Sequence, residues 1–513
     1  MAMALSLMLM VTLSVFFSCI LTTETRKFGT EEAGREDTCD RIINHIPHCH
    51  VKSAVPPEIT GTWVSKRCEI RPGPEYLLRK YIFRNSTSFE AHQYYYEDSQ
   101  CSRPLYGAIA RGSVKMLRES WTVPGGTEAE YYLSQVTIIP YQPDMAEKLQ
   151  RKFNQTCPKM FAGKFWRPFK TYDIFNYVES RKPGRVIILD HDCTHAVGFT
   201  MHELQLLRLE VRSHFHPFYV RRELYLGCLH TDKNQRQQYR PTCYQEPLLS
   251  HETMGCHVCR RILNSDDFLP PELHRRPVET KVDLQGEWVS YRCETRPMGM
   301  FLTRRFTFEN DRKTWQGHYY YFMDPLCKIK AFTLFAWGTY YAGRRSSVVE
   351  NTWNYDFKVA HLSVTPNDKS VVEHLTRDRS KEGCGRAGQW EIGIQQDITN
   401  SRGCLALGLK VPHIEYEILN IEKVHEKQWL YFGQRPSDGS SPITPRQRPT
   451  SFQFPMVQCG RVESRNRIGR QGQTAAMLAT DERRSNTAAA GIGILSMTGI
   501  LIPLIMTFTL LLS

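Results

Sequence analysis

Three runs of residues have the types and spacing to do chemistry. Met201-His-Glu-Leu-Gln-Leu206 opens like the H-E-x-x-H helix of zinc proteases, where two histidines one turn apart hold the metal. Position 206 is leucine, so the run offers one His and one Glu only. Cys256-His-Val-Cys259 has zinc-knuckle spacing, and His191, Cys193 and His195 form a third cluster. Cysteine binds zinc as a thiolate, and in an oxidising compartment such pairs form disulfides instead. Neither a G-x-S-x-G elbow nor a phosphate-binding P-loop occurs. No catalytic residue, metal or cofactor is therefore expected, and a zinc hydrolase built on His202 and Glu203 stands only as an alternative.

The compartment follows from the ends of the chain. Residues 5–21 of the 513 are almost purely apolar and are followed by Thr22, Thr23 and Thr25, the pattern of a secretory signal, assigned here to 1–25. Residues 492–512 carry no charge and are long enough to cross ~30 Å of hydrocarbon. The segment 488–513 is read as a C-terminal anchor, which makes the chain a single-pass type I membrane protein. Small residues at 485–490 ahead of that tail also fit a glycolipid-anchor signal. In the lumen the sequons at Asn85 and Asn154 become glycosylation sites. The net charge of +13 attracts sulfated glycans and anionic surfaces, so a glycan-binding or adhesion ectodomain is the second function considered. Nucleic acid is not expected there.

An internal repeat must position everything between those ends. Gly61-Thr-Trp-Val-Ser-Lys-Arg-Cys68-Glu-Ile-Arg-Pro72 returns as Gly286-Glu-Trp-Val-Ser-Tyr-Arg-Cys293-Glu-Thr-Arg-Pro297. His92 and Cys101 return at the same spacing as His318 and Cys327, and Tyr225-Leu-Gly227 returns as Tyr431-Phe-Gly433. The copies are far longer than solenoid units, so the chain reads as two tandem domains, 38–255 and 256–459. A polar stalk, 460–487, follows them. Alternation in 301–308 puts Arg304, Phe306 and Phe308 on one strand face, and Trp315, Tyr319 and Tyr321 share a face in the next run. Further strands are expected at 131–139, 332–337, 357–364 and 415–421, with no long amphipathic helix. The fold class is mainly β: two homologous antiparallel barrels or half-barrels with disulfides.

The cysteines follow the repeat. Cys68 and Cys101 match Cys293 and Cys327, and Cys157 and Cys193 match Cys384 and Cys404. The expected bonds are Cys68–Cys101, Cys293–Cys327, Cys157–Cys193 and Cys384–Cys404. Cys228 and Cys243 occur in the first copy alone and are expected to pair. Cys39, Cys49, Cys256, Cys259 and Cys459 are left unassigned. Sixteen cysteines, one inside the signal, leave an odd number, and the odd one offers a route to a dimer.

The duplicated Gly-x-Trp-Val-Ser-x-Arg-Cys-Glu-x-Arg-Pro segment, Met201-His-Glu-Leu-Gln-Leu206 and Gly433-Gln-Arg-Pro-Ser-Asp-Gly-Ser-Ser-Pro442 together resemble the adenomatosis polyposis coli down-regulated family over residues 38–459. The resemblance implies a surface glycoprotein that inhibits Wnt signalling from outside the cell. It further implies binding to Wnt ligands and to their receptor complex, with curved β domains holding the Wnt lipid. The residues expected to line an acyl cavity are Tyr81, Phe83 and Tyr95 in the first copy, and Phe306, Phe308, Trp315, Tyr319 and Tyr321 in the second.

Overall fold

The computed structural model describes residues 38–460 apart from 49–50, 86, 183–184, 214–219, 279–281, 378–383, 387–388 and 425–426. The signal segment, the stalk beyond residue 460, the anchor and Cys49 lie outside the described residues.

Each copy folds eight strands into an antiparallel ring whose neighbours are consecutive in sequence. The first ring consists of β1 (Gly61–Val64), β2 (Glu75–Phe83), β3 (Ser88–Tyr96), β4 (Pro104–Glu119), β5 (Thr127–Pro140), β6 (Leu206–Ser213), β7 (Val220–Leu226) and β8 (Leu248–Ser250). β8 returns to pair with β1. The second ring consists of β9 (Gly286–Ser290), β10 (Met300–Glu309), β11 (Thr314–Phe322), β12 (Lys330–Arg345), β13 (Trp353–Pro366), β14 (His413–Val424), β15 (Lys427–Phe432) and β16 (Met456–Gly460), with β9 pairing both β10 and β16. Closure removes exposed edges, but it is uneven. β5 meets β6 only at Glu128–Leu206 and Thr127–Leu207, whereas β13 runs beside β14 from Trp353–Leu419 to Val359–His413. Bulges at Gly112 in β4 and at Gly338 in β12 sharpen the bend at the same place in both rings. A Cβ there would meet the carbonyl oxygen of Tyr132 or Lys358.

The recurring motif has a physical reason. Its tryptophan is buried in each copy, and its indole N–H donates to a backbone carbonyl four residues earlier: Trp63 to Ile59 at 2.7 Å, Trp288 to Leu284 at 2.9 Å. Its serine donates to its glutamate, Ser65 to Glu69 at 2.5 Å and Ser290 to Glu294 at 2.7 Å. That glutamate pairs with a buried arginine on the next strand, Glu69 with Arg79 at 2.8 Å and Glu294 with Arg304 at 3.0 Å. Buried charge is tolerated only when paired and hydrogen-bonded, so these residue types return together.

Beside the strands stand two amphipathic helices of 14 and 9 residues. α2 (Pro143–Thr156) and α4 (Lys369–Arg377) leave β5 and β13 at matching points. α2 buries Ala146, Leu149 and Phe153, and α4 buries Val371 and Leu375. With so few apolar positions among charged ones, the helical period is easily lost. Pro143 at the first turn is the start signal that was available. Two shorter helices precede the rings. α1 (Thr38–His45) begins the first copy but packs on β9 and β16 of the second ring. α3 (His257–Leu263), which precedes the second ring, packs on β1 and β2 of the first.

The structure joins Cys68 to Cys101, Cys293 to Cys327, Cys157 to Cys193, Cys384 to Cys404 and Cys228 to Cys243. The unassigned cysteines resolve into Cys256–Cys259 and Cys39–Cys459, the latter spanning 420 residues. Cys39–Cys459 fastens α1 to β16, the last strand of the second ring.

Candidate functional site

Similar rings have different interiors, and the difference begins where β6 and β14 start. Counting back from the pairs Leu207–Leu226 and Leu419–Phe432, Glu203 and Gln205 correspond to Glu415 and Glu417. In the second ring that stretch is strand, and it forms wall. In the first it is a 3-10 turn, His202–Gln205, with Glu203 and Leu204 fully buried. Glu203 accepts from Tyr81 at 2.8 Å and Gln93 at 3.1 Å, and pairs with Arg71 at 3.2 Å. Met201, Phe199 and Ala196 join the same core. Among its described residues the first ring is packed by these side chains, with a void of about 20 Å³ beside Tyr95 and Tyr106.

The second ring holds a cavity of about 270 Å³. Leu302, Arg304, Phe306 and Phe308 from β10 alternate inward, followed by Trp315, Tyr319 and Tyr321 from β11. Phe332, Leu334 and Ala336 of β12, Phe357, Val359 and Leu362 of β13, and Phe432 of β15 continue the lining. Gly317 stands opposite Phe306, where a Cβ would press within 2.7 Å of the phenylalanine ring. The deep end, at Phe308, Trp315 and Phe357, is buried and apolar. The other end, framed by Arg296–Met298, Leu407–Lys410 and Arg435–Ser441, reaches solvent at the exposed Lys410 and Gly439.

That end is polar and unevenly charged. Arg435 pairs with Glu415 at 2.6 Å and donates to Ser441 at 3.0 Å. His413 lies 3.1 Å from Glu415. Although burial alone would raise it, Arg435 and His413 hold the Glu415 carboxyl below its usual range. Glu417 accepts from the Gly433 N–H at 3.0 Å, but burial and the nearby Glu415 push it up to about 8, so it is mostly protonated at neutral pH. Arg296 and Arg304 share Glu294, at 3.1 and 3.0 Å.

The sequence profile of the adenomatosis polyposis coli down-regulated 1 family matches residues 38–274 and again 275–466. The chain belongs to that family. Membership points to an extracellular role related to the Wnt pathway, and seven disulfides suit a cell-surface or secreted protein. No helix among the described residues is long and apolar enough to cross a membrane.

In this family member the expected cavity residues divide by copy. Phe306, Phe308, Trp315, Tyr319 and Tyr321 come together around the cavity. Tyr81 and Phe83 lie in the packed core of the first ring, where Tyr81 donates to Glu203 of the 3-10 turn. Tyr95 stacks on Tyr106 beside the small void. Asn85 is exposed, its Oδ1 accepting from the backbone N–H of Thr87 and Ser88. Asn154 is half-buried in the last turn of α2. The protease-like run supplies a counterion for Arg71, and among the described residues no group of three His, Cys, Asp or Glu could hold a metal. Sequence reading missed Arg296, Arg435, Glu415 and Glu417. Their signal was Glu415-Tyr-Glu417, two acids on one face of a strand that a closed barrel must bury.

Proposed function

We propose that this protein is a cell-surface negative regulator of Wnt signalling that takes the Wnt acyl chain into its second ring. The hollow apolar interior of that ring carries the reading. Its volume approaches the ~300–1,000 Å³ of small-molecule pockets, and each methylene withdrawn from water contributes about 0.8 kcal/mol. Both rings answer to one sequence plan, yet among the described residues the larger interior space lies in the second, about 270 Å³ against about 20 Å³. Contact with the Wnt receptor complex, anchoring at the membrane and N-glycosylation at Asn85 and Asn154 belong to the same proposal.

The test is capture of acylated and unacylated Wnt by cells displaying the full chain. Acylated Wnt alone should be retained. Leu362→Trp, which fills the cavity, should abolish capture, while surface biotinylation shows that the variant folds and is displayed. Equal retention of both Wnt forms, or of neither, sinks lipid capture.

A further inference from the structure

One disulfide fastens nothing but its own turn. The segment Cys39-Asp-Arg-Ile-Ile-Asn44 returns as Cys259-Arg-Arg-Ile-Leu-Asn264, and the two are anchored differently. Cys39 bonds Cys459, which ties α1 to the last strand of the second ring. The matching position in the first ring, one past the end of β8, is His251: Ser250 pairs with Trp63 as Gln458 pairs with Trp288. Cys259 thus finds no cysteine on that strand and bonds Cys256, three residues away. The other disulfides among the described residues join positions 15 to 420 apart.

Helix α3 does not need this bond to stay on the first ring. Ile262 is fully buried in a cluster with Val64, Leu78, Tyr94 and Leu249. Lys80 donates to the carbonyls of Leu263 and Ser265 at 3.2 and 2.7 Å, and Tyr94 donates to that of Asp266 at 3.2 Å. A link across three residues also constrains the unfolded chain least. Opening Cys256–Cys259 therefore leaves the fold standing, whereas opening Cys39–Cys459 unfastens α1 from its ring.

The bond is also within reach of solvent. Cys256 is half-buried between the exposed Gly255 and His257, while Cys259 is 2% exposed. A Cβ on Gly255 would meet nothing within 4 Å, so an incoming group has room on that side. Cys256 Sγ accepts the Cys259 N–H at 3.1 Å, a bond that strengthens when the sulfur becomes a thiolate. Exchange proceeds by attack of a thiolate on an accessible sulfur, and exposed disulfides are the labile ones.

We propose that Cys256–Cys259 is a thiol–disulfide exchange site for low-molecular-weight thiols of the glutathione class, with Cys256 as the sulfur attacked. The incoming thiolate bonds Cys256 Sγ as the Cys256–Cys259 bond breaks, and Cys259 leaves as a thiolate that takes a proton from water. A second thiol attacks the sulfur of the first, forms the oxidised dimer with it and releases Cys256. Two thiols are oxidised to one disulfide, and the protein disulfide is reduced to two thiols. The site lies on the first ring and is independent of acyl capture.

Cells displaying the full chain are incubated with graded reduced glutathione. Free thiols are blocked with one alkylating reagent, the remaining disulfides are reduced and blocked with a second, and the peptides are mapped. Cys256–Cys259 should open about tenfold faster than any other bond. In Cys259→Ser, oxidised glutathione should leave a mixed disulfide on Cys256. In Cys256→Ser the buried Cys259 should take up about tenfold less. Surface biotinylation reports the folding of both variants, and the order of opening in the wild type decides the proposal on its own if either stays inside the cell. Opening of Cys256–Cys259 no faster than that of Cys157–Cys193 or Cys293–Cys327, or equal uptake by the two variants, overturns the proposal.

Discussion

At the scale of the residue, Glu417 makes the second ring sensitive to pH. In the unfolded chain its carboxyl ionises near the model-compound value of 4.5, whereas burial and Glu415 hold it protonated in the fold up to about 8. Between those values the folded state binds the extra proton, so its contribution to stability is fully present below the lower value and is lost as pH rises through the upper one. Glu417→Gln removes the titration and keeps the shape. At the corresponding position the first ring carries Gln205. Thermal unfolding should show the variant near wild type at pH 5 and progressively more stable than wild type toward pH 8.5. Parallel profiles over that range would refute the account.

At the scale of the element, helix α1 belongs energetically to the ring it does not precede. Cys39-Asp-Arg-Ile-Ile-Asn of α1 and Cys259-Arg-Arg-Ile-Leu-Asn of α3 are the same segment repeated, and the two have exchanged rings. Ile42 and Ile43 pack with Val289 and Val457, Asp40 pairs with Arg305 at 2.7 Å, and Cys39–Cys459 fixes the arrangement. The corresponding Cys259 bonds Cys256 instead. Loss of a native disulfide from a secreted domain costs about 2–5 kcal/mol. Cys39→Ala should therefore speed hydrogen exchange in β9 and β16 and leave β1 and β8 protected; equal exposure of all four strands would refute the swap. This exchange was not legible beforehand, because a repeat in sequence says which segments match and not which ring each one covers. The strands were legible, since alternation such as Arg304-Arg-Phe-Thr-Phe308 has one period and one inner face. The hollow ring was legible only in part. The aromatic lining can be read from that alternation, but whether a 3-10 turn or a strand precedes Leu206 and Ile418 depends on Glu203 finding Arg71, Tyr81 and Gln93, a contact across more than a hundred residues.

At the scale of the whole molecule, the rings are joined by the arginine just before the first cysteine of each repeated motif. Arg67 reaches from the first copy to the second, its guanidinium 4.4 Å from the Tyr431 ring centre and 3.2 Å from Glu422. Arg292 reaches back, 5.9 Å from the Tyr225 ring centre and 3.3 Å from Glu223. Tyr225 and Tyr431 are themselves repeat partners, so the two latches are related as the copies are. Their surroundings differ. The Arg292 side chain is 5% exposed and Glu223 1%, whereas Arg67 is 23% exposed and Glu422 36%. Although burial opposes it, Arg292, Arg221 and Arg212 hold the Glu223 carboxyl well below the usual range. Arg67 also pairs with Glu246, at 2.8 Å, but partly exposed pairs contribute about 0–1 kcal/mol, whereas loss of Arg292 takes a buried side chain and its hydrogen bond to Tyr225 out of the joint core. Arg292→Ala should therefore lower the unfolding temperature well beyond Arg67→Ala, and it should split unfolding into two transitions as the rings lose their joint core of Tyr225, Tyr244 and Phe301. Calorimetry of the two variants measures both effects, and equal losses with a single transition in each would refute the asymmetry.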